Sequence, residues 1–142
     1  MNKRFNVIVD NLKDLDQMDR FEYLFSIAKS NPGITDKDKT KQNQIFGCTS
    51  VAYLIVEKKD PVYIITDSDS QFVKGLLQIL KLYVNGKSKE EVLNINHTDL
   101  MNQIGMENAI SSQRTNGFYA AIMKLQKILN NCEDLKNGKK GN

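Results

Sequence analysis

One cysteine occupies a position from which its thiol could react with another protein. Cys48 lies in the run IFGCTS, residues 45–50, directly before the strongest strand pattern in the chain. Gly47 permits backbone angles closed to other residues, and the hydroxyls of Thr49 and Ser50 can hydrogen-bond a thiolate or a persulfide. The run therefore predicts a loop that presents a nucleophilic sulfur. The competing interpretation is a small buried hydrophobe, because free cysteine is among the most buried residue types.

The remaining thiol, the imidazole and a pair of carboxylates give weaker patterns for chemistry. Cys132 lies in a polar stretch without a basic or histidine neighbour, which predicts an incidental exposed thiol. His97 is predicted to flank a helix start, although a Cys–His pair with Cys48 would require only proximity in space. Asp67 and Asp69 could act as paired acids or bind a metal, but acids at a strand-to-helix junction more often cap the helix. Two cysteines and one histidine do not complete a zinc site within one chain.

The composition is that of one ordinary globular domain. Of the 142 residues, 40% are hydrophobic and 26% are charged, whereas disordered chains have fewer apolar residues and a larger net charge. We expect a single domain over residues 1–135, followed by a disordered basic tail over residues 136–142.

The net charge of +3 does not indicate a nucleic-acid partner, because Lys136, Lys139 and Lys140 in the tail account for it. Without them, 17 basic residues balance 17 acidic residues, and the dense basic clustering that phosphate binding requires is missing. The longest apolar run, residues 51–56, is far too short to cross a bilayer, and the start of the chain lacks a secretory segment. We therefore expect a cytoplasmic protein with neither nucleic-acid nor membrane partners, whose cysteines are thiols.

The spacing of apolar residues predicts a small sheet packed against helices. Residues 8–28 follow helical spacing, while alternation over residues 5–9 leaves the first turn open between helix and strand. Runs rich in β-branched and aromatic residues at 51–57 and 62–67 predict an antiparallel hairpin. Further helices are predicted over 72–83, from a capping box at Ser88 and Glu91, over 98–104, and over 118–129, the last packing on the hairpin.

Three ordered blocks of the sequence resemble the SufE-type sulfur acceptors, which include the CsdE-type proteins. The first block is QN at 42–43 followed by GCTS at 47–50, the second is DSD at 67–69 with VKGL at 73–76, and the third is SQRTNG at 112–117. The resemblance extends from about Asp19 to Leu129. Two departures are local: family members commonly have Gln where Thr49 stands here and Trp where Tyr53 stands.

The resemblance implies an α/β (α+β) fold, SufE/IscU-like, in which a small antiparallel sheet packs against several helices. It also implies that Cys48, between Gly47 and Thr49, is the sulfur acceptor, and that Arg114 and Asp69 support its loop or the partner. The thiol would take persulfide sulfur from a pyridoxal-phosphate cysteine desulfurase of the SufS or CsdA type. The sulfur would then pass to a scaffold for iron–sulfur cluster assembly.

Such a carrier is an accessory to the desulfurase and requires no pyridoxal phosphate, metal or nucleotide of its own, and the sequence has no P-loop or metal-ligand cluster. We expect its loop to move about Gly47, with Ile45 and Phe46 packed down as an apolar anchor. The alternatives are a redox enzyme or sensor that uses Cys48, resolved by Cys132, and a purely structural adaptor.

Overall fold

The computed structural model describes residues 3–47, 50–105 and 112–141, and the side chains at 112–115 and 132–141 are outside the description. Two antiparallel strands and six α-helices make up the described chain. This confirms the predicted α+β fold. The elements follow in the order α1 (Lys3–Lys13), α2 (Gln17–Lys29), a 3-10 turn (Asp36–Asp38), β1 (Ala52–Lys59), β2 (Val62–Ser68), α3 (Gln71–Val84), α4 (Lys89–Leu93), α5 (His97–Ile104) and α6 (Ser112–Gly141).

The first thirty residues form two helices where the apolar spacing predicts one continuous pattern. The chain breaks before Asp16, whose carboxylate accepts a hydrogen bond of 2.9 Å from the N–H of Asp19 and so caps α2. Residues 5–9 are helical, which resolves the open first turn. Arg20 of α2 joins the C-terminal ends of α1 and α5, because its guanidinium donates to the carbonyl oxygens of Leu12 and Gly105, both at 2.9 Å.

The predicted hairpin is confirmed, with both strands slightly longer than expected. Ala52 pairs with Ser68 at one end and Lys59 pairs with Val62 at the other, with a register irregularity between Val56 and Lys58. Leu54, Ile64 and other buried residues of the strands join the core under α3 and α6. The loop that contains Cys48 leads into β1 at the end of the sheet where Ala52 pairs with Ser68.

The centre of the core is α3, which packs against α2 and β2. Buried residues lie on almost every side of α3, as expected for a helix that other elements cover on several sides. Gly75 lies against the carbonyl oxygen of Leu24, so a larger residue there would force α2 and α3 apart. No described helix is long and apolar enough to span a membrane.

Of the last three helices, α6 packs on β1 and α3, α4 packs on α6, and α5 packs on α1. The predicted capping box of α4 is confirmed, with Ser88 and Glu91 exchanging hydrogen bonds of 3.1 and 2.9 Å. The stripe Phe118, Ala121, Ile122, Leu125 and Leu129 is buried, and α6 packs on β1 as predicted and also on α3. The backbone of α6 continues helically through Gly141 and so includes most of the segment predicted to be a disordered tail. The domain boundary at residue 135 stays a prediction.

Candidate functional site

The segment that contains Cys48 is closed at its base by backbone pairing. The N–H of Ile45 donates to the carbonyl oxygen of Ala52 at 2.8 Å, and the N–H of Leu54 donates to Asn43 at 2.9 Å. Ile45 and Ala52 are both buried in the core. The chain before residue 46 and the chain from residue 52 onward are therefore held side by side, which fixes both ends of the loop.

Cys48 and Thr49 lie outside the described residues, so the loop is described through the residues on either side of them. Gly47, directly before Cys48, has a φ of +95°, a backbone angle that residues with a Cβ rarely adopt. A Cβ built on Gly47 would lie 3.5 Å from the Cβ of Ala120 in α6, which is an ordinary contact. The requirement for glycine thus comes from backbone conformation, and the loop passes close to α6 at this residue.

Phe46 does not form the anchor that the sequence predicts. Ile45 is 2% exposed and fills the core position, whereas the side chain of Phe46 is 65% exposed. The expectation that both residues pack down is therefore wrong for Phe46. The reason is the pairing of Ile45 with Ala52, which turns the side chain of Ile45 inward and leaves the next residue facing outward.

The other end of the loop is held by the residues that follow β2. The carbonyl oxygen of Val51 accepts hydrogen bonds from the hydroxyl of Ser68 at 2.8 Å and from the N–H of Asp69 at 3.1 Å. The hydroxyl of Ser68 also accepts from the N–H of Ser70 at 3.1 Å. Asp69, the candidate supporting residue, thus contacts the loop through its backbone, while its side chain is exposed.

Asp67 is a buried carboxylate with a structural role that the sequence does not predict. Its side chain accepts hydrogen bonds from the N–H groups of Ile34 at 3.0 Å and Ser68 at 2.8 Å, and it pairs with Lys74 at 3.4 Å and Lys39 at 3.7 Å. Burial raises the pKa of Asp67, but the two backbone hydrogen bonds and the lysines outweigh burial and hold that pKa below its usual value.

The preferred interpretation of Asp67 and Asp69 as caps of α3 is wrong. Ser70 is the N-cap residue, because its hydroxyl accepts from the N–H of Val73 at 3.3 Å. Asp67 instead ties the segment before the 3-10 turn to the end of the sheet. Gly33 is required beside it, since its φ is +73° and a Cβ there would lie 2.6 Å from a carboxylate oxygen of Asp67.

A small cavity lies next to the re-entry point of the loop. It has a volume of about 250 Å³ and is bordered by Val51 together with Lys39, Tyr53, Asp67, Ser68 and Asp69. The ion pair between Lys39 and Asp67, at 3.7 Å, lies at its border. Within the described residues, no group of three or more His, Cys, Asp and Glu side chains could hold a metal ion.

The remaining candidate residues are placed less completely. Arg114 lies in the first turn of α6, and Cys132 lies near its far end, but the side chains of both are outside the description. His97 begins α5 behind the N-cap Asn96, and its ring packs on that of Tyr119 with 4.3 Å between centroids. Its Nδ1 is buried without a hydrogen-bond partner among the described atoms. A pairing of His97 with Cys48 lies outside the described residues.

Comparison with known proteins identifies the family of this arrangement. Residues 6–129 match the family model described as "SufE: Fe-S metabolism associated domain". An uncharacterised SufE-like protein of Rhizobium meliloti is 30% identical over 125 residues, which cover 84% of this chain and 89% of that protein. The sulfur acceptor protein CsdE of Escherichia coli is 27% identical over 104 residues, which cover 72% of this chain and 71% of CsdE.

A solved structure supports the same fold. The solution structure of a hypothetical protein from Thermus thermophilus superposes with a TM-score of 0.72 at 18% identity, covering 89% of this chain and 93% of that one. The family match covers most of the chain and includes the loop, the sheet and the start of α6. The resemblance seen in the three sequence blocks is therefore confirmed, and the chain belongs to the SufE family.

Proposed function

We propose that this protein accepts persulfide sulfur on Cys48 from a cysteine desulfurase, stimulates that enzyme, and passes the sulfur on for iron–sulfur cluster assembly. The observation that carries the proposal is the loop of residues 46–51. Its base is closed by the hydrogen bond between Ile45 and Ala52, and its flanking residues Phe46 and Val51 are exposed. Such a loop can enter a partner's active site without unfolding the sheet.

The family supports the direction of sulfur flow. The matched family is described as associated with Fe–S metabolism, and the E. coli relative is named a sulfur acceptor. A relative from Plasmodium falciparum is named a cysteine desulfuration protein and is 28% identical over 117 residues. These names are consistent with a desulfurase partner and with a cluster scaffold downstream.

The transfer step is a thiol–persulfide exchange. The thiolate of Cys48 attacks the outer sulfur of a persulfide on the donor cysteine, a new S–S bond forms, and the old S–S bond breaks. The donor cysteine leaves as a thiolate and takes up the proton that Cys48 has released. The sulfane sulfur keeps its oxidation state, so the step requires no external oxidant or reductant.

Positioning of the Cys48 thiol by docking would supply most of the acceleration of sulfur transfer. An ordinary cysteine with a pKa of about 8.5 is only a few per cent thiolate at about pH 7, so docking must place the thiol and favour its anion. Arg114 at the start of α6 is the proposed source of positive charge, because α6 passes close to the loop where Ala120 faces Gly47. Thr49 is the proposed hydrogen-bonding neighbour of the sulfur, and Asp69 holds the loop through its backbone.

The protein would act as an accessory to the desulfurase. In this proposal pyridoxal phosphate belongs to the partner, and the carrier supplies only the accepting thiol. The reaction is expected in the cytoplasm, where thiols stay reduced.

The test is incubation with free cysteine and the desulfurase encoded in the same genome, followed by intact-mass analysis. The proposal predicts one added sulfur atom on the wild-type protein and faster sulfide release by the desulfurase. No added sulfur and no stimulation would reject it. Incubation with peroxide and a thiol reductant tests the redox alternative, which predicts rapid turnover where the carrier predicts slow, stoichiometric oxidation.

A further inference from the structure

An apolar groove with a basic edge lies beside the Cys48 loop. The groove has a volume of about 340 Å³ and is lined by Gln44, Phe46, Ala120, Met123, Lys124 and Lys127. Phe46 is 65% exposed and Met123 is 59% exposed. Large apolar side chains clustered beside a candidate site mark a binding surface more often than isolated ones do.

The helix contribution to this groove is a continuous stripe. Ala120, Met123, Lys124 and Lys127 have the spacing i, i+3, i+4 and i+7, so they lie on one face of α6. The adjacent stripe, from Phe118 to Leu129, is buried in the core. The groove face is therefore a second face of α6 with an apolar part and a basic part, and core packing does not explain the exposed side chain of Met123.

The groove lies directly beside the loop of residues 46–51. Gly47 approaches Ala120 closely enough that a Cβ on the glycine would contact the Ala120 side chain at 3.5 Å. Phe46 belongs both to the groove and to the loop. Any molecule seated in the groove thus lies next to the residues that precede Cys48.

The charge on the groove is positive. The ammonium group of Lys124 donates to the carbonyl oxygen of Gln42 at 2.9 Å, which holds it at the edge of the groove. Burial lowers the pKa of Lys124, and the charge of Lys127 lowers it further. None of the ion pairs between described side chains involves either lysine, so an incoming carboxylate would meet two cations without a described acid in competition.

We propose that this groove docks the sulfur-donating desulfurase through an apolar projection flanked by carboxylates. The inference rests on the proposed function and identifies the surface by which that function selects its partner. A second copy of this chain is a poorer occupant, because a two-fold contact through the groove would bring Lys124 and Lys127 against their own counterparts. A partner with acidic residues gains both the apolar burial and the charge pairing.

The experiment compares two groove variants with two matched controls. Met123→Glu places a charge in the apolar part of the groove, and Met18→Glu makes the same change on α2, where Met18 is 73% exposed. Lys127→Glu reverses the basic edge, and Lys59→Glu reverses an exposed lysine at the far end of β1. Circular dichroism melting checks folding, biolayer interferometry gives the Kd for the desulfurase, and intact mass follows sulfur on the wild-type protein and each variant.

We expect Met123→Glu to raise the Kd about tenfold, because interface energy concentrates in buried apolar contacts. Lys127→Glu should raise it about threefold to tenfold at low salt, with the difference shrinking as salt is added. Both controls should stay within about twofold of wild type. At saturating desulfurase, the groove variants should still gain one sulfur, because Cys48 is intact.

The outcomes distinguish a failure of the docking inference from a failure of the proposed function. If wild-type protein gains sulfur but both groove variants bind like their controls, the groove is not the docking surface. Tighter binding by Lys127→Glu, or a wild-type dimer that Met123→Glu dissociates, would also overturn the inference. If the wild-type protein gains no sulfur, the proposed function fails and the inference with it. Should Met123→Glu unfold, Lys127→Glu at an exposed helix position decides the question alone.

Discussion

Replacing Asp67 with Asn tests the structural role assigned to the buried carboxylate. The change keeps size and shape but removes the negative charge that faces Lys39 and Lys74. It also replaces one acceptor oxygen with an NH₂ donor. Since two backbone N–H groups, from Ile34 and Ser68, point at different oxygens of Asp67, one of them must lose its acceptor.

The expected loss of unfolding free energy follows from these contacts. A hydrogen bond to a charged group contributes about 1.5–3 kcal/mol, and an unsatisfied buried donor costs about 1–3 kcal/mol. The Asp67 side chain is 10% exposed, so water compensates little. We predict that Asp67→Asn lowers the free energy of unfolding by about 2–3 kcal/mol at about pH 7. The exposed neighbour Asp69 provides the control, and Asp69→Asn should change it by about 0.5 kcal/mol or less.

The pH dependence of this loss has a definite sign. Because the pKa of Asp67 is lower in the folded than in the unfolded protein, its contribution is fully present above the unfolded pKa of about 3.9. That contribution disappears as the pH falls through the folded pKa. Urea unfolding followed by circular dichroism from about pH 7 to about pH 3 should therefore show the gap between wild type and Asp67→Asn closing in acid. A gap below about 0.5 kcal/mol at neutral pH, or one that widens in acid, would refute the reasoning.

Three further changes probe the loop and its surroundings. Gly47→Ala should lower the free energy of unfolding by about 1–3 kcal/mol, because φ is +95° there, and should slow sulfur transfer. Urea unfolding measures the first effect and intact mass the second, and unchanged values would show that the loop needs no glycine. Ser68→Ala removes the hydroxyl that donates to the carbonyl oxygen of Val51 and should speed hydrogen exchange over residues 46–51 more than in β1. An equal change in the loop and in β1 would show that this hydrogen bond does not hold the loop. Arg114→Ala should keep its melting temperature but lose desulfurase stimulation, and full stimulation would remove Arg114 from the site.

Local features of the fold could be predicted from the sequence, since short-range interactions fix them. The capping box of α4 depends on residues three apart, and the hairpin depends on two adjacent runs. The break between α1 and α2 was missed because apolar spacing continues across it. The side chain of Asp16, which accepts a hydrogen bond from the N–H of Asp19, begins a new helix there.

Features that depend on distant partners could not be predicted. Asp67 looked like a helix cap because Ile34, its hydrogen-bond donor, lies 33 positions earlier in the chain. The predicted inward position of Ile45 is confirmed, but the exposure of Phe46 follows from the pairing of Ile45 with Ala52, which sequence periodicity does not reveal in a polar connection. The apolar pattern of α6 does not predict the groove either, although the spacing of Ala120, Met123 and Lys127 indicates a second helix face.

The most direct test of the central claim is a single-turnover transfer from a preloaded donor. The desulfurase is first charged with persulfide, free cysteine is removed, and the enzyme is mixed with wild-type protein, Cys48→Ser or Cys132→Ser before alkylation and intact-mass analysis. We predict that the sulfur moves to wild-type protein and to Cys132→Ser, while Cys48→Ser receives none and the donor keeps its sulfur. Equal transfer to Cys48→Ser, or sulfur found on Cys132, would contradict the account.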